Sequence, residues 1–194
     1  MLSQDEARFS MVPTLRTTLG VKGHRPVVGN LDCHDVVYVF GALNLVSGHL
    51  TTRITERCRA QGRWKTRMSG QGRLQKAFAR HLRDIARAYP AAQYPHVVLV
   101  IDNAPWHRGA GVTKALQECR HVALYRLPRY SPQLQVIERF WKVLRRRATH
   151  NRLFRTSAAL KRALRNSLCY YQTLRARVLS LIESEKNRSK LSAA

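Results

Sequence analysis

Two acidic residues stand where a folded chain could use them for chemistry. Asp102 directly follows the apolar run 97–101 (VVLVI), which predicts a strand buried on both faces, and Pro105 then breaks the chain. The carboxyl end of a central strand is where open α/β sheets place their functional groups. Glu138 follows on a basic segment with helical periodicity, at the edge of its apolar stripe. Together these two carboxylates indicate metal-assisted chemistry.

A third acid, Asp5, lies in a first segment that can pair as a strand beside that of Asp102. Glu6 is the alternative, because a shift of one residue along a strand changes the face. Mg²⁺ prefers oxygen ligands, and two such ions can bind the attacking and leaving oxygens of a displacement at phosphorus. Without metal, crowded carboxylates should raise one another's pKa. The acids therefore predict a phosphoryl-transfer site.

Each acid also has a purely structural interpretation. Asp102 can cap the turn that follows it, Glu138 can pair with Lys142 one helical turn further on, and Asp5 can be an ordinary surface acid. Only 11 residues of the 194 are Asp or Glu, so an acid at a strand end is informative here. We therefore favour the catalytic interpretation of all three.

The turn after Asp102 contains further candidates. His107 can orient a carboxylate, contact the scissile phosphate, or hydrogen-bond to backbone as an ordinary turn histidine. Asn103 is expected to form the turn more than to bind metal, although it could support the site. Trp106 can stack on a base or pack in the loop. The sequence leaves these alternatives open.

The charge of the chain points to a polyanionic partner. The chain has 35 Lys and Arg and a net charge of +24. The repulsion among these positive side chains is unfavourable unless nucleic acid or a similar polymer offsets it. A solvated basic face is the alternative for any single residue. The basic residues expected to contact phosphates are Arg57, Arg59, Arg63, Lys65, Arg67, Arg73, Lys142, Arg145, Arg146 and Arg147.

Other features of the composition exclude several classes of protein. A hydrophobic content of 44% argues against disorder, and no apolar stretch approaches the roughly 20 residues of a membrane span. The first ten residues do not resemble a signal peptide, and the four cysteines lack metal-ligand spacing. We expect a cytoplasmic protein with reduced thiols and no membrane partner.

The elements that must position these residues follow from periodicity and breakers. Strands are predicted over 36–45, 49–54, 96–102 and 121–127, with a turn at Ser47-Gly48. Helices are predicted over 74–89, 109–119 and 156–183, and from Ser131-Pro132 through Leu144. The glycine-containing stretch 56–73 predicts a flexible loop. This order predicts an α/β fold, a mixed sheet flanked by helices.

The sequence resembles a known family at three places: Asp5-Glu6 followed by Pro13, IDNAPWH at 101–107, and LPRYSPQLQVIERFWKVLR at 127–145. These look like the DDE transposases of bacterial insertion sequences in the mariner-related superfamily. The resemblance implies a ribonuclease-H-like fold with a five-stranded sheet. It also implies two Mg²⁺ or Mn²⁺ ions held by Asp5, Asp102 and Glu138. In this family the ions serve to cut transposon ends and join them to target DNA.

The resemblance also implies an organisation and partners. Residues 1–155 are expected to form the catalytic domain and 156–194 a helical extension with a flexible tail, while the family's N-terminal helix-turn-helix is absent. Double-stranded DNA, as transposon ends and target, is the expected partner of a homo-oligomer near the bacterial nucleoid. Gln135-Val136 replaces the family's usual Asn-Pro, and only four residues precede Asp5. A catalytically inactive DNA-binding remnant and a structure-directed nuclease remain alternatives.

Overall fold

The described part of the chain folds around one sheet. The computed structural model describes residues 1–20, 22–24, 26–30, 33, 35–57, 59–60, 63–64, 70–129, 131 and 134–182. Among these residues, no helix combines the length and apolar composition that crossing a membrane requires.

Seven strands are present in these ranges. They are β1 (Leu2–Ser10), β2 (Val36–Asn44), β3 (Leu50–Arg57), β4 (Arg59–Ala60), β5 (Arg63–Trp64), β6 (Val97–Ile101) and β7 (Val122–Arg126). The main sheet has five strands in the order β3-β2-β1-β6-β7, and β4 pairs with β5 separately. β1, β2 and β3 pair antiparallel, whereas β6 is parallel to both β1 and β7. The predicted mixed five-stranded sheet is confirmed.

Helices cover both faces of this sheet. They are α1 (Gly70–Ala88), α2 (Ala110–Glu118), α3 (Ile137–Ala148) and α4 (Ser157–Thr173). Because side chains alternate along a strand, neighbouring residues of β2 enter different cores. Phe40 packs in the core of α1 and α2. Val39 packs with Phe140 and Leu164 in the core of α3 and α4. The segment after residue 155 therefore contributes to the second core.

Only four residues precede Asp5, which suggests a short first strand, but β1 is long. It continues to Ser10 and pairs with β2 over its whole length, so Asp5 lies near its middle. Ala7 and Phe9 enter the second core, and their burial extends the strand. β1 is also the middle strand of the sheet, while β6 lies between β1 and β7.

The stretch 56–73 is not a loop throughout. β3 continues to Arg57, the short strands β4 and β5 follow, and α1 already begins at Gly70. Glycine is tolerated there because the first turn of a helix lacks most intrahelical hydrogen bonds. The turn at Ser47-Gly48 is confirmed, with Gly48 at a φ of 66° and its N–H bonded to the Asn44 carbonyl.

Two helix boundaries also differ from the sequence prediction. α3 begins at Ile137 instead of Ser131, because the Ser131 hydroxyl donates to the Arg129 carbonyl and does not cap a helix. The last predicted helix is interrupted at Leu174, with a second helical segment over 175–182. At its start, Thr156 caps α4 by accepting from the Ala159 N–H at 3.1 Å.

Gly41 allows a close approach between the sheet and α3. It pairs with Asp5 across β1 and β2. A Cβ atom built on Gly41 would lie 2.6 Å from Cη2 of Trp141. The indole can therefore reach β1 only because position 41 has no side chain.

We expect Gly41→Ala to destabilise the protein by about 1–3 kcal/mol, because the added methyl overpacks a closed core. Gly111→Ala is the matched control, since nothing lies within 4 Å of a Cβ there. The control should be neutral or stabilising by up to about 1 kcal/mol, because alanine favours a helix. Urea unfolding of both variants measures the difference, and equal midpoints would contradict the argument.

Candidate active site

Three acidic side chains line one cavity of about 950 Å³, which we call the carboxylate cavity. Asp5 comes from the middle of β1, Asp102 from the residue after β6, and Glu138 from the first turn of α3. The parallel pairing of β1 with β6 through Leu2 and Ser3 places Asp5 beside the end of β6. The structure therefore brings the three predicted acids to a common cavity.

Asp5 is held in an environment that disfavours its charge. Burial is the largest cause that raises its pKa to about 7, and the charges of Glu6 and Asp102 add to the effect. The Trp141 indole N–H donates to Oδ2 of Asp5 at 3.1 Å and offsets part of this cost. Trp141 is thus buried in the second core and also binds the Asp5 carboxylate.

Glu6 faces the opposite side of β1 and does not line the carboxylate cavity. The strand alternation that makes it an alternative to Asp5 directs it instead to His107, whose Nε2 lies 2.7 Å from Oε1 of Glu6. The Trp106 indole donates to the same oxygen at 3.0 Å. Trp106 also packs against the first core, so it is a packed loop aromatic.

His107 joins Glu6 to Asp102. Its Nδ1 lies 3.1 Å from Oδ1 of Asp102 and 3.3 Å from the Asp102 carbonyl, and its side chain is fully buried. The structure therefore shows both a contact of this histidine with a carboxylate and a contact with the backbone. It does not line the cavity.

The two partners change each other's ionisation. Burial lowers the pKa of His107, but the hydrogen bonds and charges of Asp102 and Glu6 outweigh it and raise the pKa to about 9. Burial likewise raises the pKa of Asp102, yet the hydrogen bonds from His107 and the Ala104 N–H bring the net pKa below its ordinary value. The expectation that crowded carboxylates have a raised pKa is therefore met by Asp5 and is wrong for Asp102.

One carboxylate oxygen of Asp102 is available to the cavity. Both the His107 contact and the 2.9 Å bond from the Ala104 N–H use Oδ1. The side chain is 48% exposed, so Oδ2 faces open space. Asp102 therefore caps its turn and lines the cavity at the same time.

Gln135 is a site residue that the sequence analysis missed. Its amide donates to the Gln4 carbonyl at 2.6 Å and accepts from the Ser3 hydroxyl at 3.3 Å. It is buried and lines the cavity at the point where β1 stops pairing with β6. The available signal was Gln135-Val136, which stands immediately before α3 in place of the Asn-Pro that the family resemblance leads us to expect.

Other residues shape the turn after β6. Asn103 lines the cavity and donates to the Leu127 carbonyl at 2.7 Å, so it ties the turn to the end of β7. Arg126 donates to the His107 carbonyl at 3.0 Å. The parallel pairing of Ile101 with Arg126 brings this arginine beside the turn, which only the strand register could have revealed.

Cations border the cavity next to the acids. Arg108 and Arg129 line it together with Gln71 and Gln75. The Gln75 amide donates to the Arg108 carbonyl, which connects α1 to the turn. A cavity with three carboxylates and two guanidinium groups has ligands for divalent cations and for phosphate oxygens.

The carboxylate cavity is not a closed metal cage. In the described ranges, no three His, Cys, Asp or Glu side chains lie close enough together to hold one ion. The donor chemistry nevertheless fits a hard divalent cation, since all three side chains offer carboxylate oxygens. A cation beside Asp5 would also remove the electrostatic cost that raises its pKa.

The predicted phosphate-binding residues are divided among several places. Lys142, Arg145 and Arg146 border one groove, whereas Arg147 lies 3.7 Å over the Tyr170 ring. Arg73 lies in α1 and is partly buried. Lys65 and Arg67 lie outside the described residues, and of Arg57, Arg59 and Arg63 only the backbone is described.

Residues 1–161 match the family described as DDE superfamily endonuclease, a region that contains Asp5, Asp102 and Glu138. The chain belongs to this family. Its fold is that of Mos1 transposase. The paired-end complex of Mos1 transposase with the left transposon end superposes with a TM-score of 0.58 at 16% identity, over 94% of this chain and 53% of that one.

Two further proteins are similar to this chain. The catalytic domain of Mos1 mariner transposase gives a TM-score of 0.56 at 14% identity, covering 94% of this chain and 78% of that one. The uncharacterized protein y4pE/y4sA of Sinorhizobium fredii is 34% identical over 80 residues, which cover 41% of this chain and 55% of that protein. The chain thus spans about half the length of the first relatives that it matches.

The buried imidazole predicts how stability depends on pH in protein kept free of metal by a chelator. The His107 pKa is about 9 in the fold and 6.5 ordinarily, so the folded chain holds this proton more tightly. The resulting stabilisation is complete below pH 6.5 and lost as pH rises through 9, up to about 3 kcal/mol. Urea unfolding between pH 7 and 9.5 should show the decline.

Two histidine variants show whether His107 causes this decline. His107→Gln should flatten the pH dependence, because no imidazolium then remains between the two acids. His96→Gln changes an exposed histidine and should keep the original slope. Parallel slopes for both variants and the unchanged protein would rule out His107 as the source.

Proposed function

We propose that this chain is the catalytic part of a DDE transposase, which cuts DNA at transposon ends and joins the ends to target DNA. The observation that carries the proposal is that Asp5, Asp102 and Glu138 line one cavity in a chain of the DDE endonuclease family. The geometry supports phosphoryl transfer because carboxylates and guanidinium groups border the same space.

Asp5, Asp102 and Glu138 would hold the divalent ions. Two solved structures of the same fold are described as Mos1 paired-end complexes with Mn and with Mg. For this chain we propose two Mg²⁺ or Mn²⁺ ions. Such ions supply the activation of water and the stabilisation of developing charge at phosphorus.

The chain's own residues prepare this site. His107 fixes Oδ1 of Asp102, which leaves Oδ2 directed toward the cavity. Arg108 and Arg129 stand at the border, where they can bind phosphate oxygens and keep the scissile bond near the acids. His107 is a positioning residue in this scheme, because it is buried behind Asp102.

The proposed partner is double-stranded DNA, first the transposon ends and then the target. The +24 charge and the groove bordered by Lys142, Arg145 and Arg146 support this choice. The Mos1 structures are described as paired-end complexes, and by analogy we propose a homo-oligomer that holds two ends together.

Asp102→Asn and Glu138→Gln should each slow nicking of supercoiled plasmid by at least about a hundredfold in Mg²⁺ or Mn²⁺, because each removes an ion ligand. Duplex binding, measured by fluorescence anisotropy without metal, should stay unchanged. Glu118→Gln changes an exposed acid paired with Arg83 and should nick normally. Nicking by Asp102→Asn at the original rate would refute the mechanism.

A second function, DNA binding without cleavage, is favoured by one observation. Within the described ranges the acids do not form a group close enough to hold an ion as they stand. A catalytically inactive transposase remnant would keep the fold and the charge but would not bind Mn²⁺. Metal binding to Asp5 therefore separates the two functions.

Asp5→Asn should stabilise the metal-free protein at pH 8. The Asp5 pKa is about 7 in the fold and 3.8 ordinarily, so the contribution of the protonated form is complete below 3.8 and lost as pH rises through 7. At pH 8 the ionised carboxyl is therefore unfavourable, and its removal gains on the order of 2 kcal/mol. Urea unfolding measures this gain.

The same variant tests metal binding. Mn²⁺ should raise the stability of the unchanged protein and not that of Asp5→Asn, since a ligand stabilises only the state that binds it. Isothermal calorimetry should show the same difference directly. If neither protein responds to Mn²⁺, the inactive DNA-binding function is supported instead.

A further inference from the structure

A second cavity, separate from the carboxylate cavity, runs along the C-terminal half of α3. This basic groove has a volume of about 1030 Å³. Its described lining residues include no acid, and they are Thr14, Arg16, Thr17, Thr18, Lys142, Arg145, Arg146, His150, Asn151 and Arg152. Five positive charges therefore share one concave surface without a carboxylate among the lining residues.

The wall opposite α3 is held in place by Asn151. The Asn151 side chain accepts from the Arg16 N–H at 2.8 Å and donates to the Arg16 carbonyl at 2.9 Å. Its backbone N–H donates to the Thr14 carbonyl at 3.1 Å, next to the bridge between Thr14 and His150. Asn151 has a φ of 54°, a region that asparagine tolerates better than most residues. The position of Arg16 is thus fixed by the fold.

One helix connects the groove to the carboxylate cavity. Glu138, Lys142 and Arg145 are spaced by four and three residues, so they lie along one side of α3. Arg145 is half-buried, with its guanidinium 5.4 Å from the centre of the Phe9 ring. Burial lowers the pKa of Arg145, while the charges of Asp5 and Glu138 partly offset this effect.

The spacing along α3 fits a duplex. Glu138 and Arg146 are separated by about 12 Å along the helix axis at 1.5 Å per residue. This distance corresponds to about three or four base pairs of B-DNA. A duplex whose scissile phosphate lies in the carboxylate cavity therefore has backbone phosphates at the distance of the groove.

We propose that the basic groove binds the DNA backbone a few base pairs from the cleaved phosphodiester, with Arg16, Lys142 and Arg146 as phosphate ligands. The inference rests on the proposed function and names the path of its substrate. Threonine hydroxyls at 17 and 18 add neutral donors, which also bind phosphate without reading sequence. The occupant is duplex DNA because the described lining charges of the groove are all positive and the groove lies about three to four base pairs from Glu138 along α3.

Salt dependence tests the groove without requiring cleavage. The full chain is titrated against a fluorescein-labelled 30-base-pair duplex in a chelator, at several salt concentrations. For Arg16→Gln with Arg146→Gln, the slope of log Kd against log salt should fall by about 1 to 2, since each lost phosphate contact removes about 0.9. Arg80→Gln with Arg120→Gln removes the same charge at exposed positions outside the groove and is the matched control.

The variant Asn151→Gly tests the shape of the groove independently of its charge. It keeps the net charge and accepts the backbone conformation, but it loses both side-chain bonds to Arg16. Binding of the duplex should weaken about three- to tenfold relative to the unchanged protein. Unchanged binding would overturn the inference, as would equal slopes for the groove pair and the control pair.

Three outcomes of these tests can be told apart from failure of the proposed function. If Asp102→Asn stops nicking while the groove variants bind like the control, the groove inference is wrong and the proposed function stands. If the groove variants weaken a 30-nucleotide single strand and leave the duplex unaffected, the duplex path is wrong. A duplex-specific loss in the groove variants supports the inference even when no nicking is observed.

Discussion

The buried charge of His107 is the constraint on which the candidate site depends. Its imidazolium lies between Glu6 on the middle strand and Asp102 after β6, and both partners are needed because an unpaired buried charge is costly. This contact joins the centre of the sheet to the turn that forms the site. It also determines that Oδ1 of Asp102 is bound within the turn and that Oδ2 faces the cavity.

β1 divides two roles between neighbouring residues. Glu6 points to the side of α1, where its charge is paired and buried. Asp5 points to the side of α3, where Trp141 supplies one hydrogen bond and the nearby acids leave excess negative charge. Because side chains alternate along a strand, an acid whose charge is paired and an acid whose charge is unfavourable lie one residue apart. Groups with such a perturbed pKa are concentrated at functional sites, which supports the proposed role of Asp5 as a cation ligand.

Much of this arrangement could be predicted from local patterns. The apolar run before Asp102 and the helical spacing around Glu138 place both acids correctly, because strand ends and helix faces are set by short-range periodicity. Contacts between distant residues could not be predicted in this way. Glu6 and His107 are 101 positions apart, and their pairing depends on the register of β1 against β6. The predicted start of α3 at Ser131 was wrong because serine is a residue type that often caps a helix, but this hydroxyl donates to the Arg129 carbonyl.

Gln135 has a mechanical consequence for the floor of the cavity. Past Ser3, the edge of β1 is satisfied by an amide side chain instead of by β6. Such a bond can lengthen or reform through side-chain rotation, whereas a ladder bond can change only if two strands slide together. At the floor of the cavity, Gln135 therefore replaces strand pairing by a contact that can change without a shift in the register of the sheet.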